Sequence, residues 1–132
     1  MNPCVFVLTA LAGGVGAGLR FVLDAAVSGR RGARFPLGIF VVNVTGSLAL
    51  GVVTGLGGAV MGEAVLWMVG TGLLGGYTTF STVSVDTVLL ARDGEVRRAW
   101  LNATGTVVVA LAAAAAGVVL GAWAADLFPP LG

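Results

Sequence analysis

The chain has no histidine and a single cysteine. Without imidazole there is no histidine general base, no histidine proton relay and no histidine-ligated metal. Cys4, alone, excludes an intrachain disulfide and reads as an inert thiol near a membrane surface. No apolar signal segment precedes it, which argues against a lipidation cysteine. Charge is scarce as well. Asp, Glu, Lys and Arg make up 10% of the residues, where a soluble domain carries about 25%. No base, nucleophile and orienting group converge, so an enzyme is not expected. No separable signal peptide is expected either, because the first apolar run opens almost at Met1 and has the length of a membrane span.

What is present is hydrophobic. Apolar residues are 58% of the 132, and mean hydropathy is +1.03. That composition describes an integral membrane protein, all-α, with one small helical bundle over residues 1–132. Four transmembrane helices are expected, over residues 3–26, 36–58, 63–91 and 96–125. Each exceeds the ~20 residues that ~30 Å of hydrocarbon requires. The joints between them are short and polar. Pro36 suits a first helical turn, where its missing N–H costs nothing. Pro129 and Pro130 end the last span.

Glycine accounts for 22 of the 132 residues, more than twice its usual share of ~7%. Each span holds a glycine pair four apart: Gly14/Gly18, Gly51/Gly55, Gly72/Gly76 and Gly117/Gly121. Small residues at that spacing let helix backbones approach closely in lipid. The Ala112–Ala116 run is expected to be a packing face without chemistry.

The arginines are unevenly placed. Arg30, Arg31 and Arg34 lie in the first joint, and Arg92, Arg97 and Arg98 at the third. With four spans these joints share one side. The positive-inside rule puts that side in the cytoplasm and both termini outside.

The most informative stretch is Gly75-Gly76-Tyr77-Thr78-Thr79-Phe80-Ser81-Thr82. Two glycines and four hydroxyl residues in mid-membrane are costly in lipid. Backbone can leave the helix at that depth only where protein or a water-filled cavity covers it. A break in the third helix is therefore expected, holding an ion site. Freed carbonyls bind a small cation, while hydroxyls donate to an anion. Phe80 presents an electropositive ring edge that suits a desolvated anion as well as packing.

Other polar residues leave two readings open. Arg20, inside the first span, is either a functional charge or a side chain that snorkels to the surface or pairs with Asp24. Asn43, followed by Thr45 and Ser47, either glues helices together or offers N–H donors to an anion. Asp86 is a proton carrier or, nearer the bundle's polar end, a paired or solvated acid. Asn102 and Thr106 share a helix face and either extend a polar path or join helices.

Taken together these residues resemble the CrcB/Fluc fluoride channels, small bacterial and archaeal proteins of four spans. The resemblance covers nearly the whole chain. It rests on Gly13-Gly14-Val15-Gly16-Ala17 with Arg20, on Pro36-Leu37-Gly38 with Val42-Asn43-Val44-Thr45-Gly46, and above all on Gly75–Thr82 with Asp86 after it. It implies an antiparallel dimer in the cell membrane with two pores at its interface. It implies fluoride export down its gradient, and hence fluoride resistance. It implies a structural Na⁺ at the dimer centre, held by the backbone carbonyls of Gly75 and Thr78. Pore roles carry over to Asn43, Phe80, Ser81 and Thr82, with Asn102 and Thr106 on the polar track of the fourth span. The implied partners are fluoride, the bilayer and a second subunit; nucleic acid is not expected.

Fluoride is small and strongly hydrated, so a narrow pore must replace its water. Hydroxyls, amide N–H groups and ring edges do so without a fixed cation that would trap it.

Two positions depart from the family pattern. Val83 stands where a second Phe is usual, and Ile39 where a Thr is usual after Pro-x-Gly. With the one-sided arginines, Val83 leads to the expectation that this chain is one half of a heterodimeric pair with fixed, opposite orientations. The main rival is a small multidrug-type, proton-coupled transporter. That chemistry needs a carboxylate midway along the first span, and the only acid there is Asp24, near its end. A scaffold without transport explains the glycines and leaves the Thr/Ser cluster without a purpose.

Overall fold

The computed structural model describes residues 2–28 and 35–127; Arg30, Arg31, Arg34, Pro129 and Pro130 lie outside them. Within the described residues the chain is helical and contains no strand. Helix α1 is Pro3–Ser28 and α2 is Leu37–Met61. Residues 63–77 form α3, Phe80–Arg92 form α4, and Val96–Leu127 form α5. Pro36 stands just before α2, and its carbonyl accepts the first hydrogen bond from the Phe40 N–H at 3.1 Å.

Among the described residues three helical stretches are long and apolar enough to cross a membrane: Pro3–Ser28, Leu37–Gly57 and Val96–Leu127. The third hydrophobic segment is divided between α3 and α4, so neither piece reaches that length. Gly57 has φ 70° and ψ 169° and kinks the chain within α2. Gly62 (φ 75°) and Gly94 (φ 80°) mark the tight connections that follow α2 and α4. A side chain is strained at such angles and glycine is not.

Glycine packs these helices as pairs. A Cβ on Gly51 or Gly55 would collide with the carbonyls of Ala114 or Val118. One on Gly117 or Gly121 would strike those of Leu48 or Val52. Helices α2 and α5 therefore touch backbone to backbone. On the other side, Gly72 and Gly76 lie against the carbonyls of Thr9 and Gly13 in α1, and Gly16 lies against Leu73. The Gly14/Gly18 pair departs from expectation, since a Cβ on either would meet nothing within 4 Å. At 3.6 residues per turn Gly14 and Gly18 lie about 100° or more around α1 from Gly13 and Gly16, and Gly13 and Gly16 take the face toward α3.

The apolar interior is thin: Ile39, Val42, Leu74, Val83 and Ala99 are the buried hydrophobics. Phe21, Leu11, Leu111 and Val119, each more than 60% exposed, face outward. Soluble monomers do not carry apolar surface on this scale. Together with the apolar helices it marks a membrane protein.

Candidate functional site at the interrupted helix

Two residues separate α3 from α4. Thr78 (φ −77°, ψ 153°) and Thr79 (φ −152°, ψ 125°) are extended. The chain before them is already loosened, because Trp67–Leu74 is wound as a π-helix, a form often found at functional sites. Thr79 then caps α4: its Oγ1 accepts the Thr82 N–H at 3.3 Å, as a threonine at that position should.

The break is held from α2. Asn43 Oδ1 accepts the Thr79 N–H at 2.8 Å. Asn43 Nδ2 donates to the Thr79 carbonyl at 2.9 Å and to the Ile39 carbonyl at 3.1 Å. One buried side chain thus satisfies both backbone groups of a buried, non-helical residue. It also changes who else is satisfied. In a continuous helix the Thr79 N–H would go to the Gly75 carbonyl, and the Thr82 N–H to that of Thr78. Here those donors go to Asn43 and to Thr79 Oγ1. The carbonyls of Gly75 and Thr78 are thereby released from the ladder, and Gly75 is exposed.

Arg20 reaches this point from α1. Its Nη1 donates to the Thr78 carbonyl at 3.3 Å. Among the described residues the one ion pair is Arg98–Glu95, at 3.0 Å. Arg20 is not paired with Asp24, which instead accepts from the Ser28 hydroxyl at 2.9 Å.

The hydroxyls form a cluster. Thr79 Oγ1 lies 3.0 Å from Ser81 Oγ and 3.2 Å from Thr82 Oγ1. Three hydroxyl protons serve two contacts. Because Thr79 Oγ1 already accepts the Thr82 N–H, it must donate to one of its two neighbours, so the spare O–H belongs to Ser81 or Thr82. Thr79 faces a groove of about 310 Å³, whose polar wall is Asn43, Ser47, Thr78, Thr79 and Thr106 and whose apolar wall is α5. Phe80 projects into the same groove and is 64% exposed. Ser81, which is exposed, and Thr82 do not line it.

Asn102 and Thr106 are both buried, and only Thr106 lines the groove. Asn102 Nδ2 donates to the Val83 carbonyl at 3.1 Å and to Thr87 Oγ1 at 2.9 Å. Its Oδ1 has no partner among the described residues, and neither has Thr106 Oγ1. Thr9, Thr54, Thr87 and Thr104 each donate to the carbonyl four residues back, and Thr106, which follows the π-wound turn Leu101–Gly105, does not.

The sequence therefore brings Asn43, Thr78, Phe80, Thr106 and, through Thr78, Arg20 to one place. Thr79, the hub of both the clamp and the hydroxyl cluster, was not singled out; its signal was an N-cap threonine three residues before Thr82. Thr87, which fixes Asn102, and Tyr77, whose hydroxyl meets Thr45 Oγ1 at 3.0 Å, left no local signal.

The model of the family described as CrcB-like protein, Camphor Resistance (CrcB), matches residues 7–118. The chain belongs to the CrcB family. Similar relatives of this CrcB chain carry channel names. One is Fluoride-specific ion channel FluC 1 of Leifsonia xyli subsp. xyli, 44% identical over 98% of this chain and 96% of its own. Another, FluC 1 of Rubrobacter xylanophilus, is 44% identical over 95% and 99%. Fluoride-specific ion channel FluC 2 of Mycobacterium tuberculosis is 40% identical over 96% and 95%. The family is one of ion channels, not of enzymes.

Proposed function

We propose that this chain is a fluoride-selective channel subunit that lets fluoride leave the cytoplasm down its gradient. The observation that carries the reading is the clamped break at Thr78–Thr79 beside an open groove. There the Phe80 ring stands in the groove, next in sequence to a hydroxyl cluster with one spare proton, where an anion must shed water. Relatives named as fluoride-specific channels, similar over nearly their full length, support the substrate.

In this reading α3 and α4 together make a crossing. The protein is then a multi-pass, four-span protein of the plasma membrane with both termini outside. The groove at Phe80 is half a pore, completed by a second, antiparallel subunit. The arginine distribution and Val83 support a partner that is a homologous chain of opposite orientation. Relatives numbered FluC 1 and FluC 2 fit that arrangement. The Gly75 and Thr78 carbonyls fit a structural, untransported Na⁺. They are released from the ladder, they are hard oxygen donors, and a second copy would double their number. Arg20 uses one lone pair of the Thr78 oxygen and leaves the other. When bound, Na⁺ would tie the two breaks together.

The test is fluoride efflux from loaded liposomes, with the chain alone and with its homologous partner from the same cell. Efflux above empty liposomes, selective over chloride, is expected for the pair. Efflux from neither preparation would end the reading.

A further inference from the structure

A second groove lies between α4 and α5 at their connected end. It holds about 340 Å³ and is lined by Thr87 and Ala91 of α4 and by Val96, Ala99, Trp100 and Ala103 of α5. The α5 residues recur at three- and four-residue spacings and form one stripe. Ala99 is 4% exposed and Trp100 67%, so the alanines make a floor and the indole a wall. Thr87 spends its proton on the Val83 carbonyl and offers no free donor. The trough is thus hydrocarbon in character along its length.

Its end is not. Arg92 and Arg97 follow the lining residues Ala91 and Val96 directly, and both are exposed. Glu95 is held by Arg98 at 3.0 Å, which leaves Asp93 alone to offset the two arginines. The first turn of α5 has no side-chain cap, so its N–H groups add to the positive end rather than reduce it. Trp100 beside that end has the amphipathic character of side chains at headgroup level. An apolar trough in a membrane protein, closing under two cations, complements one molecule of the bilayer.

We propose that the α4–α5 groove is a specific site for an anionic phospholipid, with one acyl chain along the alanine floor and the phosphate at Arg92 and Arg97. The inference does not depend on which ion the protein carries. It also gives the groove a structural consequence. Thr87 forms the inner wall and is held by Asn102, so a bound chain would brace the contact that fixes α4 on α5.

The protein has three tryptophans. In the full-length chain carrying Trp67→Phe and Trp123→Phe, Trp100 is the remaining fluorophore. It would be reconstituted into phosphatidylcholine vesicles containing a small fraction of chain-brominated phosphatidylglycerol or chain-brominated phosphatidylcholine. Quenching of Trp100 should report a preference of roughly thirtyfold for the anionic lipid, as two arginines at a membrane surface would give. Arg92→Gln with Arg97→Gln should bring the two lipids level. Ala103→Leu, which fills the trough, should weaken quenching by the anionic lipid while the arginines remain. Equal quenching by both lipids without the arginine changes would overturn the proposal. So would shielding of Trp100 from both lipids that disappears when the protein is diluted in the membrane, since a second copy would then be the occupant.

Discussion

At the scale of single residues, the site depends on which polar atoms are already engaged. Both N–H groups of Asn43 are committed within the chain, so its part at the break is to hold Thr79 in place. Asn43→Leu would strand two buried backbone groups, each worth about 1–3 kcal/mol. Thermal unfolding in detergent should show a clear loss of stability, and an unchanged midpoint would refute the clamp. Phe80 is different. It is mostly exposed at the groove, so Phe80→Ile should leave folding and assembly intact. Fluoride efflux should fall roughly tenfold or more if the ring edge replaces water; undiminished efflux would remove Phe80 from the pore. Asn102 resembles Asn43 more than Phe80. Its donors are spent, and what it leaves unpartnered is a buried acceptor oxygen, which favours a donor such as water over an anion.

At the scale of helices, two kinds of contact hold the bundle. The α2–α5 and α1–α3 pairs meet through glycine, where no side chain fits. Gly55→Ala should therefore cost about 1–3 kcal/mol, the usual range for overpacking, and Gly117→Ala should behave alike. Gly14→Ala, with open space beyond it, should be near neutral. Parallel stability curves for the three variants check this; helix propensity alone would stabilise all three alike, so a gain in Gly55→Ala and Gly117→Ala matching that in Gly14→Ala would refute the close approach. The α4–α5 pair meets through Asn102, Val83 and Thr87, and a π-wound turn lies on each side of the break in the chain. These wide turns were not legible as a pattern, since winding depends on what each turn packs against.

At the scale of the whole molecule, a single chain leaves its groove open and its released carbonyls half-shared. If Na⁺ joins two subunits there, replacing it with a large organic cation should reduce the fraction of dimer at a fixed, low protein density in the membrane. No change with cation would argue against that site while leaving the groove's role in permeation to the efflux test. The arginine distribution belongs to this scale too. An orientation set at insertion selects which subunits can meet in opposite sense.

Membrane character, helix positions to within a few residues, and the Gly75–Thr82 motif were all present in composition and hydrophobic run length. These are local properties, and each residue carries its share regardless of the fold. The tertiary structure alone decided that Asn43 binds Thr79, 36 residues away, and that Arg20 binds Thr78, 58 residues away. It likewise decided that Gly13 and Gly16, not Gly14 and Gly18, face α3. A hydrogen bond needs its partner within about 3 Å and in line. Which groups come that close is settled by how whole helices pack, and no stretch of a single helix contains that information.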